Sequence, residues 1–222
     1  IVQATKSGCG PVHGIGPERP VHPGTGLVYN YAWGRSCVDF NDSVLRYIRS
    51  RADLEIVVLS SSLGQYVGAE FLHNVTDQGR NRVVPASVEG SKTAIMSTVG
   101  ALRQAGKRVV WFSPPPQTGK NFAGCVEREL SGLYSWGGQD GCALARAEYE
   151  AKRSDVNALL DAIKSAGVPV IRLDDELCDE RQCQTTLDGV MVYRDQGHLS
   201  HDGAALLGRR MQWPRLVIER AR

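Results

Sequence analysis

The stretch YRDQGHLSHDGAALLG, residues 193–208, places Asp195 three residues before His198. An imidazole acts as a base toward a hydroxyl when one ring nitrogen faces the hydroxyl and an acceptor holds the proton on the other. A carboxylate at that second nitrogen also stabilises the imidazolium as it forms. Asp195 and His198 are close enough in sequence to make this contact with little chain entropy to lose. Gly197 relaxes the turn between them, and Ser200 suits the cap of a helix starting near His201. The spacing alone equally suits a surface histidine ahead of a closing helix. A metal set of Asp195, His198 and His201 has no fourth ligand near in sequence, so no metal is expected there.

The elements that must position this pair come from apolar runs of two periods. Residues 1–5, IVQAT, read as a strand already under way. Residues 6–36 are rich in Gly and Pro and read as a long loop. Residues 39–52 put Phe40, Val44, Tyr47 and Ile48 on one helix face. EIVVLS follows, a β-branched run suited to a strand buried on both faces. Residues 67–86 read as a polar excursion. A second helix is expected over 87–106, with Val88, Ile95, Val99 and Leu102 facing in and Gly106 as its stop. RVVWFS is a strand halted by the prolines at 114–116. Residues 117–150 read as an insertion with short helical pieces. A third helix over 153–166 carries Val156, Leu159, Leu160 and Ile163, closed by Gly167. VPVIRLD is a strand, VMVY a short edge strand or an extended approach, and 200–211 the last helix. Strands alternating with helices indicate βαβ units, a parallel sheet with helices on both faces, and one domain over 1–222. Asp195 and His198 then fall after the last strand, where loops at strand ends build sites in open parallel sheets.

Composition narrows the function classes. The chain has 222 residues and a formal net charge of +2. It is long enough for a sizeable core and carries no electrostatic footprint for nucleic acid. No apolar run reaches the length of a bilayer span. The six cysteines, Cys9, Cys37, Cys125, Cys142, Cys178 and Cys183, all lie in loop-like stretches. Only Cys178 and Cys183 are close, which does not suit a zinc site. An even count in loops favours disulfides in an oxidising compartment. Fifteen pairings are possible; sequential pairing, Cys9 with Cys37, Cys125 with Cys142, Cys178 with Cys183, is expected. The first residue is Ile1, and the chain reads as the C-terminal part of something longer.

YRDQGHLSHDGAALLG resembles the last motif block of SGNH hydrolases, the D-x-x-H that supplies acid and base to their triad. It resembles most the SGNH domain at the C-terminus of membrane acyltransferase-3 proteins, which O-acetylate surface polysaccharides such as lipopolysaccharide. VQATKSGCGP resembles that family's second strand and cysteine turn, and SCVDFNDSVLRYI its cysteine-led helix. IVVLSSSLGQY resembles its third-strand block, ALRQAGKRVVWFSPPP the helix and strand ending in prolines, and LCDERQC the cysteine pair before the last block. The resemblance covers nearly all of the chain. It implies a three-layer α/β/α, flavodoxin-like fold with a central parallel sheet, with Asp195 and His198 as the catalytic aspartate and histidine.

Two departures stand out. The family's first block, G-D-S, carries the nucleophilic serine after the first strand, and this sequence has no G-D-S. NDS at 41–43 lies on a helix, and Ser60, Ser61 and Ser62 belong to the third block. The first strand, with the nucleophile, is therefore expected upstream of Ile1, and its lack is expected to expose sheet edge. The second departure concerns the oxyanion donors. Gly8 sits near the second-block glycine and Ser62 near the third-block asparagine, while Leu63 stands where the acyltransferase-linked group commonly has tryptophan. Gly8 can equally serve only a turn beside Cys9, and Ser62 only a strand end. Trp33, Tyr66, Trp111 and Trp136 are sugar-groove candidates, with ordinary packing as the alternative and Trp111, within a strand, as core.

The resemblance implies O-acetyl transfer to polysaccharide hydroxyls through an acyl-serine. The domain itself needs no cofactor; acetyl-CoA is the acyl source of the whole protein. The partners implied are the polysaccharide acceptor and an N-terminal acyltransferase-3 membrane domain in the same chain, with this domain on the periplasmic face. The alternatives are a secreted carbohydrate O-acetyl esterase of the same fold and a glycan-binding module without chemistry.

Overall fold

Each helix and strand can be traced to a local pattern and to the partner that pattern meets. The computed structural model describes residues 1–19, 29–77, 80–133 and 142–222. In chain order they form β1 (Ile15–Glu18), α1 (Tyr31–Arg49), β2 (Ile56–Ser60), α2 (Gly64–Val67), β3 (Leu72–Asp77), β4 (Arg80–Pro85), α3 (Val88–Gln104) and β5 (Arg108–Phe112). Then come α4 (Phe122–Leu130), β6 (Leu144–Ala145), α5 (Arg146–Lys152), α6 (Ser154–Ser165), β7 (Val170–Ile171) and α7 (Asp174–Leu177). The chain closes with β8 (Gln182–Cys183), β9 (Thr186–Leu187), β10 (Val190–Met191), α8 (His201–Arg210) and α9 (Trp213–Arg220). Two compact units emerge: residues 1–113, 155–171 and 221–222, and residues 114–154 and 172–220.

In the first unit β2, β5 and β7 form a parallel sheet in the order β2-β5-β7. Leu59, Val109, Trp111 and Val170 of these strands join Leu45 of α1, Ile95, Val99 and Leu102 of α3, and Val156, Leu159, Leu160 and Ile163 of α6 in one core. The stripes expected for α3 and α6 are those observed. Ser87 caps α3 by accepting from Gly90 N–H at 3.1 Å. Gly106 and Gly167, at φ +75° and +81°, provide the left-handed residues that end α3 and α6.

Four expectations change. Residues 1–5 are exposed and form no strand, because among the described residues no strand pairs with them. β2 is not buried on both faces: it stands at the sheet edge, and Val58 is 46% exposed. Residues 67–86 hold the hairpin β3–β4, which extends through β1 into an antiparallel sheet of order β1-β3-β4. The helix expected at 39–52 starts at Tyr31, capped by Asn30, and its inward line is Gly34, Cys37, Val38, Asn41 and Leu45. Tyr47 points out instead, beneath the Arg51 guanidinium. β1 and α1 approach so closely that a Cβ on Gly16 would overlap the carbonyl of Gly34.

The second unit is built from short pieces. β6 pairs with β8 and β9 with β10, all antiparallel. Disulfides Cys125–Cys142 and Cys178–Cys183 lie here and Cys9–Cys37 in the first unit, the sequential pairing expected. Thr185 Oγ1 donates to the carbonyl of Cys142 at 2.8 Å. Phe122 and Tyr193 meet with ring centroids 5.5 Å apart and planes tilted by 47°. VMVY contributes only β10 as strand, and α9 follows α8 where no further helix was expected. Among the described residues no helix is long and apolar enough to cross a membrane.

Two glycine replacements test the packing. Gly16→Ala should lose at least about 2 kcal/mol, because a backbone carbonyl blocks the methyl. Gly100→Ala on α3 meets nothing within 4 Å and should gain roughly 0.5–1 kcal/mol by restricting the unfolded chain and favouring helix. Urea denaturation of both variants checks this; equal midpoints would contradict the close β1–α1 approach.

Candidate functional site

Residues 193–199 form a closed loop. Tyr193 and Leu199 make an antiparallel bridge, and Arg194 N–H donates to His198 O at 3.0 Å. Inside the loop Asp195 Oδ1 accepts from the N–H groups of Gly197 at 2.9 Å and His198 at 2.8 Å. His198 Nδ1 lies 2.8 Å from Asp195 Oδ2 and 3.0 Å from Oδ1. An ionised carboxylate only accepts, so this contact selects the Nδ1–H tautomer and leaves Nε2 with its lone pair. Burial works against the Asp195 charge, but the Gly197 and His198 amides and the His198 ring outweigh it and hold the carboxyl well below its ordinary range. The His198 side chain is 72% exposed and that of Asp195 39%. The arrangement is a charged orienter with an imidazole open to an incoming hydroxyl.

The loop is anchored on both sides. After it, Ser200 Oγ accepts from Gly203 N–H at 2.8 Å as the cap of α8 and donates to Met191 O at 2.5 Å. Ser200 N–H donates to Val192 O at 2.8 Å. Gly203 rests on Val192, where a Cβ would sit 2.6 Å from the carbonyl oxygen. Before the loop, the buried Tyr193 hydroxyl donates to Pro116 O at 2.7 Å; burial raises the pKa of that phenol, keeping it protonated. His201 does not join the pair; its ring faces Asp202 at 3.1 Å and is almost fully exposed. Among the described residues no cluster of three His, Cys, Asp or Glu side chains is placed to hold a metal ion.

The oxyanion candidates lie in the first unit. Gly8, at φ +69°, occupies a turn closed by Cys9 N–H donating to Lys6 O at 3.0 Å. Ser62 Oγ donates to Gln65 Oε1 at 2.7 Å, and Gln65 Nε2 donates to Gly8 O at 3.3 Å. Gln65 thus joins the two candidate segments, and in this arrangement the Ser62 hydroxyl proton goes to Gln65. Between them Leu63 is fully buried at φ +61°, a left-handed backbone costing roughly 1–2 kcal/mol for a residue with a side chain. Beneath the turn, the Tyr66 hydroxyl accepts from Gly10 N–H at 2.8 Å, and Asn41 Nδ2 donates to Gly10 O at 2.9 Å and Val12 O at 3.1 Å. Burial pushes the His73 imidazole, beside Tyr66, down to about 4, so it is neutral at neutral pH.

Tyr66 and Trp111 are fully buried and are packing residues, not sugar contacts. Trp33 is half-buried, with Lys6 Nζ 4.9 Å from its ring centre and Tyr29 edge-on at 5.9 Å. Trp136 lies outside the described residues. Ser43 sits on α1 and donates to Phe40 O at 2.7 Å. Gln65 and Gln117, the latter lying against Gly197, were not legible beforehand: Gln65 lies inside the IVVLSSSLGQY block, but its bond to Gly8 spans 57 residues, and Gln117 follows the proline run outside any block.

A family model described as "SGNH domain (fused to AT3 domains)" matches residues 1–212. Among solved structures, the periplasmic domain of a lipopolysaccharide acetyltransferase from Salmonella ser. Paratyphi A is similar, with a TM-score of 0.56 and 18% identity. The match covers 82% of this chain and 64% of that one, so the chain spans less than two thirds of that neighbour. No curated protein matches the sequence. At this identity the structural likeness establishes a shared fold, the α/β architecture expected.

The Asp195 clamp has a pH signature. Its stabilisation is complete above the ordinary carboxyl value of about 3.9 and is lost as pH falls through the lower folded value. Asp195→Asn lacks that charge. Its deficit in urea midpoint should therefore be largest near neutral pH and close toward pH ~2. A deficit independent of pH would contradict the clamp.

Proposed function

The chain belongs to the SGNH domains fused to AT3 domains, and from that membership we propose that Asp195 and His198 are two members of a Ser-His-Asp triad transferring an acetyl group to hydroxyls of a cell-surface polysaccharide. The observation that carries the reading is the His198 ring, bound through Nδ1 to a clamped carboxylate at 2.8 Å with the side chain open to solvent. In the first half-reaction Nε2 takes the serine hydroxyl proton as Oγ attacks the acyl carbonyl. The proton passes to the leaving group, and an acyl-serine remains. In the second, Nε2 takes the proton of the acceptor hydroxyl, whose oxygen attacks the acyl-serine; the proton returns to the serine as its bond breaks.

The serine is proposed to lie upstream of Ile1, on a strand added to the first unit. Two observations support this. The outer edge of β2 has no partner strand among the described residues, leaving Val58 exposed, and residues 1–5 are exposed with no strand partner among the described residues. A preceding AT3 membrane domain would draw acetyl groups from cytoplasmic acetyl-CoA, with this domain on the periplasmic face and no cofactor of its own. The lipopolysaccharide named for the structural neighbour supports a surface glycan as acceptor.

The test is a longer chain that includes the segment upstream of Ile1. It should hydrolyse an aryl acetate and trap acetyl on its G-D-S serine, while residues 1–222 alone should be inactive. His198→Ala in the longer chain should reduce the rate at least about a thousandfold while the chain still unfolds cooperatively. An upstream segment without the serine, or activity indifferent to His198→Ala, overturns the reading.

A further inference from the structure

Gly197 separates Asp195 from His198 by position, and one side of it is closed by the carboxamide of Gln117. A Cβ on Gly197 would overlap Gln117 Oε1 and lie 2.9 Å from Cδ and 3.3 Å from Nε2. Gly197 is not among the glycines with a left-handed backbone. Its role is therefore not to relax the turn, as the sequence suggested; the missing side chain makes room for Gln117. Gln117 follows three prolines at 114–116, whose rings restrict φ at successive positions. The same segment is pinned by Tyr193, whose buried hydroxyl donates to Pro116 O across 77 residues of sequence. Two consecutive residues, Pro116 and Gln117, thus contact the base of the 193–199 loop and its tip. The tip matters because Gly197 N–H is one of the two amides that hold Asp195. An exposed loop has little apolar packing of its own to keep such a peptide oriented.

We infer that Gln117 is a positioning residue for the catalytic turn: carried on a proline-stiffened segment, it fixes the Gly197 peptide and, through it, the carboxylate that orients His198. The inference rests on the reading of Asp195 and His198 as the acid and base of the triad. It assigns Gln117 no contact with the reacting atoms. A glutamine merely resting on a surface turn would leave the turn unchanged when removed.

Backbone hydrogen exchange on residues 1–222 tests this without any need for turnover. Gln117→Ala should speed exchange of the Gly197 and His198 amides at least about tenfold while leaving the Leu207 amide on α8 unchanged. Gly197→Ala displaces the same carboxamide and should accelerate His198 equally, and the double variant should show no more than either single one. In the longer chain, Gln117→Ala should lower kcat for an aryl acetate severalfold with KM unchanged, a split that loss of general stability would not produce. Unchanged exchange in Gln117→Ala, or additive effects in the double variant, overturns the inference. Faster, non-additive exchange in a chain whose longer form hydrolyses no ester supports the positioning and sinks only the triad reading.

Discussion

Four donors converge on one carboxylate, two turn amides, the His198 ring and, at 3.4 Å, Arg194 Nε, and the orientation of His198 follows from them. Asp195 accepts two backbone N–H groups from its own turn and faces the imidazole through both oxygens. A carboxylate so held stays ionised, and an ionised carboxylate allows only one imidazole tautomer beside it. The exposed Nε2 is a consequence of the clamp. The surrounding devices keep the clamp in register: the Tyr193–Leu199 bridge closes the loop, Ser200 caps α8 and bonds back to Met191, and Gly203 lets α8 sit directly on Val192. Each is modest alone, but together they define where a solvent-facing histidine points.

The first unit applies the same economy of polar contacts to a buried region. Tyr66, Asn41 and Gln65 would each be costly to bury without partners, and each bonds the 8–12 segment. The strained Leu63 backbone is held within this network, and strain of that kind concentrates at functional turns. The open edge of β2 breaks the pattern of a covered parallel sheet. An added strand would complete it.

What was legible in the sequence depended on how far apart the interacting residues lie. The α3 and α6 stripes are local and apolar, so their faces could be read, down to the glycines that stop them. The D-x-x-H pair is local too, and its contact forms within one turn. The start of α1 was hidden because its inward line includes Gly34 and Asn41, which dilute an apolar stripe. The hairpin β3–β4 was hidden because His73 and Asn74 are buried on the middle strand of β1-β3-β4, so polar residues stand where alternation would show apolar ones. Strand character at IVQAT is real as propensity but needs a neighbour to be expressed. Gln65 sits in a block that could be read, but its contact with Gly8, like that of Gln117 with Gly197, spans a long sequence separation that no local pattern announces.

The claim that organises this account is that Asp195 fixes the His198 tautomer, and nitrogen-detected NMR of the imidazole reads it directly. With the ring neutral, His198 should carry its proton on Nδ1 and none on Nε2, and Asp195→Ala should abolish that preference. A neutral ring protonated on Nε2, or a tautomer unchanged by Asp195→Ala, would contradict the account.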